Sequence, residues 1–264
     1  MTKSFTSALI GIAIDQGLIG GVEARVMDFF PRYAQLADER KAKLTLAHLL
    51  TMQAGLEWNE GQLSYADSRN DLIRLFSVSD PIGYILAKPA INEPGSTFLY
   101  GGNCTNLLGE VIRSASGQRM DAYAKTRLLE PLGITNYQWD FINPDMIHAS
   151  GNLQLRPRDM AKLGYLYLKG GVWQGKRIVS EAWVRESTRQ HAHAPGGGYG
   201  YQWWVRTYAS GGKTAEAYGA MGWGGQRIMV FPSLDMVVVF TGGNYVGQEP
   251  VDAIITNHIL PAVQ

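Results

Sequence analysis

Three places in the sequence carry side chains that could do chemistry, and they lie far apart. Lys3 stands in "MTKSFTSALIGIAIDQG", at the mouth of an apolar segment. Tyr100 ends "NEPGSTFLY", after a turn at Pro94-Gly95. "GWGGQ", from Gly222 to Gln226, leads into a run of β-branched residues. A buried lysine is pushed toward its neutral form and can then accept a proton. A tyrosine within reach can hold that proton or pass it on. Glycines beside a strand let a bound molecule approach the backbone closely. These are parts of a nucleophilic catalyst, so the question is which hydroxyl the lysine would serve.

The serines near Lys3 do not answer it. Ser4 is adjacent to the lysine and points to a different helix face, and Ser7 lies deeper along the helix. "GGKT", Gly211 to Thr214, ends in Ala215 and reads as loop before a strand. Cys104 follows Tyr100 into a helix and reads as a small packing residue. Of the five histidines only His191 and His193 stand close together, which does not make a zinc site. No metal and no cofactor is expected.

The elements that must position these residues follow from periodicity. Phe5, Ala8, Leu9, Ile12 and Ala13 recur at helical spacing, and Gly17 can end that helix. Ile10 and Ile14 make it apolar nearly all round, so the helix from Ser4 to Gln16 belongs in the middle of the protein. Further helices are predicted in "LTLAHLLTMQAGL", with Thr45 as N-cap, and in "CTNLLGEVIRSASG", "MDAYAKTRLLEPLGI", "RPRDMAKLGYLYLKGG" and "SEAWVRESTRQH". After "HAHAPGGG" the pattern changes. "YGYQWWV", "GQRIMVFP" and "DMVVVFTGG" read as three strands of an antiparallel meander. Helices first and sheet last is an α+β order. A three-stranded sheet is thin cover for such a helical core, and a central helix starts at the first residue. Both features lead to the expectation that something belongs before Met1.

Composition narrows the class. The chain has 264 residues, 45% hydrophobic and 18% charged, with a net charge of +1 and no basic run. That is the make-up of a globular chain with a real core, and it speaks against nucleic acid or an anionic membrane as partner. One cysteine allows no internal disulfide. No apolar stretch has the length of a membrane span.

Taken together, Lys3, "FLYGGNCTNLLGEVI" and "GWGGQRIMVFPSLDMVVVFTGG" resemble three motifs of the serine β-lactamase and penicillin-binding-protein superfamily, in order. The similarity is to its class C-like serine hydrolases, which include family VIII carboxylesterases and aminohexanoate-oligomer hydrolases. "LTLAHLLTMQAGLEW", "LLEPLGI" and "YGYQWW" extend it over essentially the whole chain. The resemblance implies an antiparallel sheet flanked by helices plus a mostly helical lobe, in a single domain over residues 1–264. It implies Lys3 as base, Tyr100 as proton relay, and Trp223, Gly224 and Gly225 as a substrate-binding strand that forms the far wall of the cleft. The substrate would be a small-molecule ester, amide or β-lactam. The Trp-Gly-Gly form, without a cationic side chain, leans toward esterase or amidase. The nucleophilic serine of the Ser-x-x-Lys motif would stand one residue before Met1, and the first sheet strands further upstream. The chain as written is then expected to be inactive. The alternative is a non-catalytic binding or sensor module on the same fold, against which the retention of both Lys3 and Tyr100 speaks.

Overall fold

Helix α1, Thr2–Asp15, is the axis of the molecule. In the computed structural model, which describes residues 1–247 and 249–263, every residue from Thr2 to Ala13 is buried. Gly17 ends the helix at φ +71°, in the left-handed region that glycine enters freely. A side chain at Gly11 would collide with the Trp183 indole at 2.3 Å, so this glycine lets the next layer close on the helix.

Around α1 lie short helices and two longer ones. They are α2 (Leu46–Leu50), α3 (Asp71–Leu75), α4 (Pro81–Leu86), α5 (Gly102–Ser116), α6 (Met120–Ala124), α7 (Pro157–Leu168) and α8 (Glu181–Thr188). Thr45 and His48 cap the start of α2 reciprocally, as the sequence suggested for Thr45. Gly117 stops α5 at φ +69°. Small hairpins bridge the helices: β1 (Tyr137–Trp139) pairs with β4 (Leu153–Leu155), β2 (Phe141–Asn143) with β3 (Met146–Ile147), and β5 (Val172–Trp173) with β6 (Lys176–Arg177).

The main sheet has six antiparallel strands, not the three expected. In spatial order they run β12 (Met236–Phe240), β11 (Gln226–Phe231), β10 (Lys213–Gly222), β9 (Trp204–Ser210), β8 (Gly197–Tyr199) and β7 (Ala192–Ala194). The expectation missed β7, in "HAHA", and the long β10, "KTAEAYGAMG". Its alanines and glycines carry little strand propensity, and pairing on both edges makes it the centre of the sheet. "YGYQWWV" is not one strand. Gly200 N donates to Trp203 O, and Gln202 has φ +64°, so these residues turn the chain between β8 and β9. Gly211 and Gly212 form the next hairpin turn, and Lys213 already begins β10.

One sheet face packs on the helical lobe, where Ile228 and Val230 join the core of α1, α5 and α7. The other is covered by the C-terminal segment that begins with α9 (Val251–Ile254). There Val251, Ile255 and Leu260 meet Tyr208, Met229 and Phe231. The result is helix–sheet–helix layering, with the start of α1 against the end of β10. No helix among the described residues is long and apolar enough to cross a membrane.

Candidate active site

The first turn of α1 is pinned from several sides. The Met1 ammonium nitrogen donates to Met221 O at 2.5 Å, at the end of β10, and Leu153 N donates to Thr2 Oγ1 at 3.2 Å. Lys3 is buried, and its Nζ donates to Ser150 O at 3.0 Å. Burial lowers the Lys3 pKa below its ordinary value, while the negative charge of Glu60 works the other way.

Tyr100 enters from the loop before α5. Its ring centroid lies 5.1 Å from Lys3 Nζ. Contacts with Trp204 (5.4 Å) and Tyr199 (6.2 Å) fix the ring. Burial raises the phenol pKa well above the usual tyrosine value. The two environments therefore push in opposite directions. Lys3 is biased toward a neutral amine that accepts a proton, and Tyr100 toward a phenol that keeps or donates one.

Three residues that the sequence did not single out complete this floor. Glu60 is buried, and its Oε2 accepts from Trp58 Nε1 at 2.8 Å and from Gly102 N at 2.6 Å. It thus satisfies an otherwise free N–H at the start of α5, two residues after Tyr100. Ser150, which orients Lys3 through its carbonyl, has its Oγ 2.9 Å from His148 Nε2. His148 is held neutral: burial and the nearby Lys3 charge bring its pKa down to about 3. The segment is fixed by Trp139 Nε1 donating to His148 O (3.0 Å), Thr6 Oγ1 to Ala149 O (2.8 Å) and Ser150 N to Asn106 Oδ1 (3.2 Å). The sequence offered no signal for Glu60 in "WNEGQ". His148 and Ser150 are two residues apart, but nothing in that spacing announces a hydrogen-bonded pair.

Lys3, Glu60, Tyr100, His148 and Ser150 line one cavity of about 1210 Å³, and so does Trp223. The structure thus brings Lys3, Tyr100 and Trp223 together. Trp223, Gly224 and Gly225 are the turn between β10 and β11, not part of a strand. Gly224 and Gly225, at φ +79° and +89°, do not line the cavity. They shape the turn that presents Trp223, because β-turn positions at positive φ favour glycine.

The remaining candidates lie elsewhere. Ser4 Oγ donates to Gln202 O at 2.7 Å, Ser7 is buried within the core, and neither lines the cavity. Cys104 is buried in α5, and burial pushes its thiol pKa up to about 12, as suits a packing residue. His191 stacks on Tyr201 at 4.0 Å. Among the described residues no three His, Cys, Asp or Glu side chains converge as a metal would require.

Comparison with known proteins adds three findings. The family model described as Beta-lactamase matches residues 1–249. A 6-aminohexanoate-dimer hydrolase from Paenarthrobacter ureafaciens is 26% identical over 263 residues, covering 90% of this chain and 64% of the relative. The chain therefore spans less than two thirds of that protein's length. Among solved structures, one described as a candidate 6-aminohexanoate-dimer hydrolase from Bacillus anthracis superposes with a TM-score of 0.82, at 24% identity, over 99% of this chain and 70% of that one. A family VIII carboxylesterase superposes with a TM-score of 0.72, at 20% identity, over 92% and 75%.

Proposed function

The chain belongs to the beta-lactamase family, and from that premise we propose that it serves a serine hydrolase cleaving an ester or amide through an acyl-serine. The observation that carries the reading is the pairing of Lys3 and Tyr100. They are distant in sequence, 5.1 Å apart between nitrogen and ring centre, and oppositely biased in protonation on the floor of one cavity.

The chemistry runs as follows. In this reading the attacking hydroxyl is that of the serine in the family's Ser-x-x-Lys pattern, one helical turn from Lys3. Lys3 takes its proton as the oxygen adds to the carbonyl. The oxyanion that develops on the carbonyl needs N–H donors aimed at it. Tyr100 passes the proton to the leaving alcohol or amine as the C–O or C–N bond breaks, and water then hydrolyses the acyl-serine with the same groups. Esters and amides are favoured over β-lactams because the turn carries Trp223 where a cation would hold a carboxylate. Two arginines line the cavity: Arg227 is engaged with Glu249, Gly222 O and Gln226 O, and Arg206 with Gly196 O.

One observation favours a second nucleophile. The Ser150 hydroxyl and the His148 imidazole, 2.9 Å apart on the cavity wall, are an alcohol and a base in contact. A single experiment separates the two. The 264-residue chain is incubated with a p-nitrophenyl ester and with a fluorescent penicillin, and its mass is followed. No covalent adduct and no turnover above background are expected. A chain carrying a serine directly before Met1, with upstream sequence, should hydrolyse the ester. Lys3→Ala should reduce that rate by roughly a thousandfold or more, as loss of a catalytic base does, and Tyr100→Phe should also reduce it strongly. An adduct on the 264-residue chain that disappears in Ser150→Ala would transfer the role to Ser150. Absence of activity in the extended chain would leave the binding-module alternative.

A further inference from the structure

Six aromatic side chains stand among the exposed large hydrophobic residues: Tyr65, Phe76, Phe141, Tyr165, Trp223 and Tyr245. Four of them, all but Phe141 and Tyr165, line the same cavity. The two outside it have covering partners. The Arg119 guanidinium lies over Phe141 at 4.8 Å, and Trp173 packs on Tyr165 at 5.8 Å. Phe76 sits edge-on to His148 at 5.3 Å.

The other three form one surface at the cavity mouth. Trp223 lies 5.2 Å from Tyr65 and 5.0 Å from Tyr245, between centroids, at interplanar angles of 51° and 64°. They come from three separate segments: the loop before α3, the β10–β11 turn and the loop after β12. Even so packed they remain open. Trp223 is 60% exposed, Tyr245 54% and Tyr65 42%. Three large rings from distant segments converging in solvent above a buried reaction floor are a standing cost in hydration, and such a concentrated patch marks a binding surface. The rings pack on one another and not around a cage. They offer a single tilted ring surface. Glycine at position 224 belongs to the same device, since a Cβ there would lie 2.4 Å from the Tyr245 ring.

We propose that Tyr65, Trp223 and Tyr245 form a subsite that selects substrates carrying an uncharged aryl group on the part that projects from the floor toward solvent. The assignment rests on the reading of this cavity as the reaction site. The aryl face lies against the Trp223 indole and is flanked by the two phenol rings, each ring contact adding an offset or edge-to-face interaction that a saturated ring of equal size does not make. Lys3 and Tyr100 then meet the carbonyl, and the rim sets which carbonyl compounds stay bound long enough to react.

The test needs no nucleophile and so separates the subsite from the hydrolase reading. The 264-residue chain is titrated calorimetrically with N-methylbenzamide and with N-methylcyclohexanecarboxamide, whose rings have the same number of carbons. The aryl amide is expected to bind about five- to tenfold more tightly, the worth of one or two aromatic contacts. Trp223→Leu keeps apolar bulk and removes the ring. It should erase the preference while leaving the cyclohexyl affinity within about twofold. Tyr165→Ala, remote from the cavity, should change neither. All variants are exposed-site changes, and matching thermal melts confirm that they fold. Equal affinity for the two amides in the parent chain, or a preference that survives Trp223→Leu, overturns the proposal. Failure of the extended chain to hydrolyse esters, with the aryl preference intact, counts against the hydrolase and not against the subsite.

Discussion

The floor and the rim of the cavity are built on different principles. The floor comes from helix starts, with Lys3 in the first turn of α1 and Tyr100 just ahead of α5, and buried hydrogen bonds hold it from several chain segments. The rim comes from turns and loops, whose rings meet one another and are left open to water while Asn244 N donates to Gly224 O beneath them. A buried polar network is costly to disturb, because each unpaired group loses its full desolvation energy. An exposed aromatic cluster tolerates change cheaply. The contrast suggests a division of labour in which the floor fixes the reaction and the rim adjusts the substrate. Perturbations of the two should therefore differ in size and in kind.

The largest effect is expected at Glu60. Glu60→Ala leaves Trp58 Nε1 and Gly102 N without their acceptor in a buried setting. At about 1–3 kcal/mol for each unsatisfied group, the loss should be roughly 3 kcal/mol in denaturant unfolding. Glu60→Gln keeps one acceptor oxygen and should recover about half of it. Because the Glu60 charge raises the Lys3 pKa, either variant in an ester-hydrolysing extended chain should move the alkaline-rising limb of the rate profile to lower pH. A destabilisation below about 0.5 kcal/mol, or an unmoved limb, would show that this carboxylate does not hold the floor together.

His148 gives a smaller effect with a definite sign. Its folded pKa is lowered from 6.5 to about 3 by burial and by Lys3, with Asp140 opposing. Below pH 6.5 the unfolded chain takes up a proton that the folded chain refuses, so stability falls as pH falls from 6.5 toward 3. The loss is about 1.4 kcal/mol per pH unit, hence about 2 kcal/mol at pH 5. His148→Gln removes this titration. Other acid-sensitive groups are common to both chains, so the difference between parent and variant isolates it. Unfolding measured at pH 7.5 and 5.0 should show the parent losing about 2 kcal/mol more than the variant, and parallel losses would refute the assignment.

The same division explains what the sequence disclosed. The helix starts that carry Lys3 and Tyr100 were legible from local periodicity, and the two residues themselves from the motifs they resemble. Lys3 begins an all-apolar helix, and Tyr100 follows a Pro-Gly turn ahead of another. The core helices were legible for the same reason, and even Thr45 as a cap could be read. Glu60 and the His148–Ser150 pair were not, since their roles arise from contacts between segments distant in the chain. In the sheet, β11 and β12 announced themselves through valine and isoleucine, while β10 is central by pairing and not by composition. The rim was least legible. Trp223 was visible in its Gly-rich motif, but no local pattern says that Tyr65 and Tyr245 will arrive beside it.

The smallest expected effect is at Gly224, and it tests the contrast most directly. A side chain here meets two penalties. The backbone sits at φ +79°, which costs an L-residue about 1 kcal/mol, and the new Cβ would overlap the Tyr245 ring at 2.4 Å. The second penalty is avoidable. Tyr245 is half exposed and held only by ring packing on Trp223, so the ring can swing away at little cost. The floor offers no such escape. A Cβ at Gly102 would meet Leu72 Cδ1 and Ser150 Oγ, each at 2.9 Å, and Glu60 Oε2 at 3.3 Å, all within the buried network. Gly224→Ala should therefore lower unfolding stability by only about 1 kcal/mol. It should leave the acid dependence set by His148 unchanged, and it should reduce the preference for the aryl amide roughly two- to threefold through loss of one flanking ring. If Gly224→Ala instead destabilised the chain by more than about 3 kcal/mol, the Tyr245 ring would be anchored as firmly as the floor, and the division between a fixed floor and an adjustable rim would not hold.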